Sequence, residues 1–401
     1  MNINTFNAFH SRNYRLFFFG QSISMMGTWI QRTAVYWIIY EMTQSAFMLG
    51  VAVFATQFPS FLFSLIGGTI ADRHNRYKML LITQIASMIQ ATLMTLIVFF
   101  TAYTVWEILV LSIFLGIINA FDVPTRQSLV HHMVDKKEYL GNAIALNSSM
   151  VNLARLIGPA ISGILLDQVG AGFCFAINAI SFIAVIGSLL MMRLPDYIPT
   201  VSSKKMVEDI KEGLSYIKAT PMIGMLILLL SLMSFLVLPY ITLLPIIAKV
   251  SLAGNASTFG YLNSCIGIGA FFGAITLASL KSSINLKKIL IAAIAIFAVG
   301  LLFFSNSHTL TFAFFFATIT GFGMMMQIAI INTLLQTTSS IEMRGRVVSY
   351  FAMALFGMQP LGALMVGTLS HYIGAEHTIT LQGLIAVIIL IVFLPRLRKN
   401  Q

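Results

Sequence analysis

The ionisable residues Arg32, Asp122 and Arg155 lie among those inside long apolar runs, where a charge needs an internal partner or a water-filled cavity. At helical spacing Trp29, Arg32 and Tyr36 share one face, and Ser148, Asn152 and Arg155 share another. A guanidinium beside an indole and a phenol can hold an anionic or catechol-like small molecule through charge, hydrogen bonds and stacking. The two faces are therefore the candidate binding surface. Arg155 has a second reading, as a donor to backbone carbonyls beside the Gly158-Pro159 break, and the sequence leaves both open. Asn119, Gln327 and Gln359 also lie in apolar runs, where such side chains either bond helix to helix or touch cargo. His131 and His132 fall in a connection and read as solvated. No nucleotide-binding loop, nucleophile constellation or metal-ligand cluster is visible, so no enzyme is expected and no cofactor.

The elements that position these residues follow from composition. Of 401 residues, 58% are hydrophobic and 9% charged, which cannot cover a water-soluble surface; one polytopic membrane bundle is expected. Twelve runs read as membrane-crossing helices: 14–40, 46–71, 79–101, 105–129, 139–166, 172–192, 222–248, 258–280, 289–304, 310–336, 347–372 and 379–394. They are helices because lipid leaves no partner for an unpaired backbone group. The first run is too long for a removable signal peptide and lacks a small-residue cleavage site. Cys174 and Cys265 lie within runs, which argues against a disulfide or a metal site. Of the 24 lysines and arginines, all but Arg32, Arg155 and Lys249 cluster at the termini or after even-numbered runs. Cytoplasmic loops carry that excess, so both termini are expected in the cytoplasm, and topology accounts for the net charge of +11 without nucleic acid.

Residues 67–78 read Gly-Gly-Thr-Ile-Ala-Asp-Arg-His-Asn-Arg-Tyr-Lys and join the second run to the third. Gly67 and Gly68 would let helices approach closely, while the cations after Asp72 hold the turn at water. The connection 195–221 contains Met206, Ile210, Leu214 and Ile217 on one side of an amphipathic helix, read as a tether on the inner leaflet. It divides the chain into 1–193, a linker at 194–221, and 222–401. The halves also look alike: a shift of 210 carries Gly50 to Gly260 and Lys78 to Lys288, and one of 201 carries Pro159 to Pro360. In the second copy Ser282 stands where the first has Asp72.

The 67–78 order resembles the signature loop between helices 2 and 3 of the major facilitator superfamily, with Asn75 in place of the usual glycine. Asn tolerates the left-handed backbone that a sharp turn would use there. The segments 119–127, 141–149 and 152–163, with Arg344-Gly345-Arg346-Val347, resemble the transmembrane secretion effector branch, to which enterobactin and macrolide exporters belong. The resemblance implies an all-α polytopic fold of twelve transmembrane helices in two pseudo-symmetric six-helix bundles. It implies that Gly68, Asp72, Arg73, Arg76, Asp122 and Arg126 form a conformational lock, with Asp72 near the start of the eleventh helix. A proton-carrying Asp122 is the alternative. Gly158, Pro159 and Gly163 resemble a helix-5 motif of antiporters, where a proline kink and close packing are expected. The function implied is export of a small amphipathic molecule, siderophore-like or otherwise anionic or aromatic, by proton antiport from a bacterial inner membrane. A broad drug or macrolide pump, a lysophospholipid transporter, and a receptor or channel are the alternatives. Partners are then the small molecule, membrane lipid and protons, with no nucleic acid, and the protein works as a monomer.

Overall fold

The computed structural model describes residues 6–194, 206–280 and 284–399, apart from the side chains of 65, 69, 71–73, 206–210 and 399. Among them there is no strand. The first six long helices are α1 Arg12–Thr43, α2 Ala46–Arg73, α3 Arg76–Phe100, α4 Val105–Met133, α5 Leu140–Gln168 and α6 Ala171–Leu190. After α7 Met206–Ala219 come α8 Pro221–Leu236, the single turn α9 Leu244–Ile246, α10 Ala256–Ser279, α11 Leu286–Ser305 and α12 Leu310–Thr338. The chain ends with α13 Arg344–Ala352, α14 Met358–Ile373 and α15 Ala375–Lys399.

Eleven stretches among the described residues are long and apolar enough to cross a membrane, against the twelve expected. The missing one is α1, whose 32 residues include Gln21, Ser24, Gln31 and Arg32. Those polar groups lower its apolarity, and two of them bond within the protein: Gln31 to Gln90 and Asn178, and Arg32 to Tyr36. Elsewhere the apolar side chains point outward as a lipid-facing surface requires: Ile82, Phe100, Ile180, Ile183 and Leu190 are all more than half exposed.

Helix ends repeat along the chain. Asn75 caps α3 by accepting from Lys78 N, and Asn285 caps α11 by accepting from Lys287 N. The two asparagines are related by the same shift of 210 seen in the sequence. Gly170, between α5 and α6, has φ +87°, and Gly374, between α14 and α15, has φ +83°, a region that costs residues with a Cβ. Asn75 itself has φ −63° and ψ 107°, so the turn before α3 uses extended backbone, not the left-handed conformation expected. Its side chain is needed as a cap, which glycine could not supply.

The chain folds as two units, one comprising Met1–Met42 with Ala55–Ser202, the other Thr43–Phe54 with Ser203–Gln401. In the first unit Tyr14, Phe17, Leu80, Leu129, Met133, Phe182, Val185 and Leu189 form a buried core. Tyr14 Oη donates to Ala143 O at 2.9 Å and to Asn147 Oδ1 at 3.1 Å, fastening α1 to α5. Nearer the middle of α1 a chain of buried amides links four helices. Asn178 Nδ2 donates to Gln31 Oε1 (2.8 Å), Gln31 Nε2 to Gln90 Oε1 (3.0 Å) and Gln90 Nε2 to Leu111 O (3.2 Å). With each carbonyl satisfied by the next amide, the polar groups add specificity to a lipid-embedded bundle instead of a desolvation penalty.

In the second unit α10 and α12 approach until a Cβ on Gly269 would collide with Thr318 O, and one on Gly321 with Ile266 O. Two of its spans are interrupted. The seventh run breaks after α8 into 3-10 turns at Leu238–Leu243 and a π-helix at Ile247–Ser251, with Pro239 and Pro245 in the break. The eleventh run carries a π-helix at Met353–Gly357 between α13 and α14. Such breaks free backbone groups that a membrane tolerates only when protein or water covers them.

The linker helix α7 packs on this unit. Glu212 Oε1 is 2.7 Å from Arg346 Nη1, and Ser340 N donates to Tyr216 Oη at 3.1 Å. The Ser340 amide also draws the Tyr216 phenol below its ordinary range by stabilising the ionised form. Gly213 lies against the Tyr350 ring, where a Cβ would come 2.9 Å from Cε2. Ile217 is buried and Leu214 exposed. The expected tether on the leaflet is thus held by a face made of Glu212, Gly213, Tyr216 and Ile217. Met206 and Ile210 have side chains outside the described residues, as do Ser282 and the linker before Met206.

Candidate functional site

Of the second predicted face, Arg155 meets the first at Trp29. The guanidinium carbon of Arg32 lies 5.1 Å from the Trp29 ring centroid and 5.9 Å from that of Tyr36, and its Nε donates to Tyr36 Oη at 3.3 Å. Arg155 reaches the same indole from α5, its guanidinium carbon 6.0 Å from the centroid. All four side chains are partly buried. The local sequence makes this possible. A Cβ on Gly158 would stand 2.6 Å from Trp29 Cβ, so glycine there lets α5 close on α1. One turn on, Ser162 Oγ donates to Ile30 O at 2.9 Å and pins the same crossing. Pro159 and Gly163 are buried, and α5 runs through Pro159 without interruption.

Ser148 is exposed and donates to Ile144 O of its own helix at 3.0 Å. Asn152 and Asn119 are partly buried, on α5 and α4. Gln327 and Gln359 belong to the second unit. Gln327 is 1% exposed, and neither its Oε1 nor its Nε2 has a partner among the described residues. Gln359 lies in the first turn of α14, just after the π-helix of the eleventh run, and is partly buried.

At the end of the first unit that bears the 74–75 connection, Asp122 is the hub. It is 5% exposed and accepts from Gln84 Nε2 at 2.6 Å and from Thr83 Oγ1 at 3.0 Å through one oxygen. Its other oxygen faces Arg126 Nε at 3.2 Å, one turn along α4. Arg126 Nε makes no hydrogen bond, so this contact acts as a charge pair. Arg76 Nη1 lies 3.2 Å from His132 Nε2. Arginine has no acceptor, so the histidine nitrogen must accept and carries no proton in this contact. A cavity of about 350 Å³ opens beside it, lined by Arg76, Gln127, Ser128 and His131. The histidines read as solvated in a connection are the last turn of α4, and His132 has a charged neighbour. Gly67, not Gly68, carries the close approach: a Cβ on Gly67 would collide with Ala120 O, whereas one on Gly68 would meet nothing within 4 Å. Asp72 and Arg73 have side chains outside the described residues.

Sequence reasoning passed over Thr83, Gln84, Gln31, Gln90 and Asn178. Their signal was available in kind, as polar residues on the apolar runs of α1, α3 and α6. Nothing in one sequence pairs a glutamine on α1 with another on α3.

A family model described as transmembrane secretion effector matches residues 3–401. A staphyloferrin A transporter of Staphylococcus aureus is 28% identical over 386 residues, covering 94% of this chain and 95% of that protein. An enterobactin exporter of Salmonella typhi is 25% identical over 96% of this chain and 93% of its own length. Macrolide efflux protein A of Streptococcus pyogenes is 22% identical, covering 95% of this chain and 96% of that one. Among solved structures, an inward-facing bacterial homolog of the human lysosomal transporter Spinster superposes with a TM-score of 0.72 at 15% identity, covering 96% of this chain and 97% of that one. The nucleoside transporter NupG gives 0.77 at 10% identity, covering 96% and 98%.

Proposed function

From the premise that the chain belongs to the transmembrane secretion effector family of the major facilitator superfamily, we propose that it is a secondary active exporter of a small anionic or aromatic molecule. The family is one of transporters, not enzymes, and the many apolar helices make this a multi-pass protein of the bacterial inner membrane. Relatives named for staphyloferrin A and for enterobactin support a siderophore-like cargo.

The observation that carries the reading is Arg32. It is a cation on a span-length helix, set beside Trp29 and Tyr36, with no carboxylate partner among the described residues. An intramembrane cation without a protein counter-charge is expected to face a hydrated path or an anionic ligand. In this reading cargo binds along Trp29, Arg32, Tyr36 and Arg155, with Asn152 and Asn119 as further contacts. Gln327 and Gln359 serve the second unit. Access alternates between the two sides of the membrane, both termini lie in the cytoplasm, and protons returning by antiport supply the energy. Arg76, Asp122 and Arg126 act as the lock, together with Gly68, Asp72 and Arg73.

Export from proteoliposomes or from cells lacking the chromosomal copy tests this. Arg32→Ala should lower efflux of an anionic siderophore about tenfold, the effect of losing one charged hydrogen-bond donor. Efflux unchanged at equal protein level removes the binding face. Relatives named for macrolide and multidrug efflux support a second reading, a broad pump for neutral drugs; Arg32→Ala would then spare drug efflux.

A further inference from the structure

We propose that the contact between Arg76 and His132 is a pH sensor at the end of the first unit that bears the 74–75 connection: it holds while His132 is neutral and opens when His132 takes a proton. The sensor goes beyond the exporter reading, and only its link to transport rests on the lock assigned to Arg76.

The chemistry follows from what each side chain can do. Arg76 Nη1 lies 3.2 Å from His132 Nε2. A guanidinium is always charged and only donates, so the imidazole must offer a lone pair at Nε2 and keep its one proton on Nδ1. Protonation removes that lone pair and adds a second positive charge at the same distance. The contact then has no bonded form, and the two side chains must part. Histidine is the side chain whose ordinary range lets this happen near physiological pH.

The surroundings suit a switch. His132 is exposed, so water can deliver the proton directly. Among the described residues, the charged and titratable groups acting on it are Arg76 from α3 and His131 from its own helix, and neither can serve as a counter-charge to a protonated ring. The cavity of about 350 Å³ lined by Arg76, Gln127, Ser128 and His131 gives the displaced guanidinium room to move. The helix bodies are fixed in advance. Asn75 caps α3 directly before Arg76, and Leu129, Val130 and Met133 sit in the buried core with Leu80 of α3. Opening is therefore confined to the first turn of α3 and the last turn of α4.

Hydrogen exchange of the purified full-length protein, corrected for the intrinsic effect of pH, tests the proposal at about pH 8 and about pH 5, either side of the ordinary histidine range. Amides of residues 76–80 and 129–134 should exchange about fivefold faster at the lower pH, the effect of losing one partly exposed contact to a charge. His132→Gln presents an oxygen acceptor that does not titrate, so it should keep slow exchange at both. His132→Lys carries its charge throughout and should exchange fast at both. His131→Gln should leave the response in place. Equal corrected exchange of wild type at the two pH values, or a response that survives unchanged in His132→Gln, overturns the proposal. Labelling of single cysteines on the same face keeps the sensor and the lock apart. If wild type and His132→Gln label alike at the lower pH while their exchange differs, the sensor stands and the lock reading of Arg76 falls.

Discussion

Asp122 concentrates three interactions on one buried carboxylate, and its neighbours decide what its loss would do. Thr83 and Gln84 approach one oxygen and Arg126 the other. Asn would keep the shape and one acceptor, but would leave the Arg126 guanidinium, itself 17% exposed, without its counter-charge. Breaking one side of a buried pair costs about 3 kcal/mol or more. Asp122→Asn should therefore lower the unfolding temperature of the purified protein, and Asp122→Asn with Arg126→Gln should recover part of it. Equal melting of wild type and the single variant would mean that the carboxylate holds nothing. At this scale the sequence displayed the charges but not their partners. Arg32 beside Trp29 and Tyr36, and Asp122 beside Arg126, were legible because a helix places neighbours three and four apart on one face. Gln84 beneath Asp122 and His132 beside Arg76 are inter-helix contacts, which depend on how two helices cross and have no signature in spacing.

Among the elements, the spans were legible because lipid enforces long apolar helices, and their interruptions were less so. Pro239 and Pro245 stood in the sequence as the reason the seventh span cannot be one regular helix. The π-helix at Met353–Gly357 has no proline to announce it. The linker helix was legible as amphipathic, yet its docking face was not. Leu214, on the apolar stripe, is exposed, while Gly213 and Tyr216 make the contacts. The Glu212–Arg346 pair has a glutamate 60% exposed and contributes well under about 1 kcal/mol, whereas the Ser340–Tyr216 hydrogen bond contributes about 1 kcal/mol. Glu212→Gln with Tyr216→Phe should therefore loosen α7 without unfolding the unit. Hydrogen exchange at amides of residues 211–219 should quicken about tenfold, the equivalent of about 1.4 kcal/mol. Unchanged protection would assign the docking to Ile217 and Gly213 alone.

At the scale of the whole chain, the sequence placed the divide in the linker, and one short segment does not respect it. Thr43–Phe54, the start of α2, belongs with the second unit although the rest of its helix belongs with the first. The reason is close packing of small residues: a Cβ on Gly50 would stand 2.5 Å from Ala363 O, and one on Gly367 2.6 Å from Ala46 O. Leu49, Ala52 and Val53 are buried on the same segment. Lipid solvates apolar side chains as well as protein does, so this attachment comes from backbone approach and dispersion and not from hydrophobic burial. Such packing tolerates a cut chain but not an added side chain. Residues 1–202 and 203–401, expressed together as separate polypeptides, should therefore co-purify through this segment. Gly50→Leu or Gly367→Leu should abolish co-purification while each fragment still inserts and accumulates alone. Undiminished recovery of the pair with either leucine in place would show that α2 is held elsewhere, and that the glycines at 50 and 367 are incidental to joining the two polypeptides.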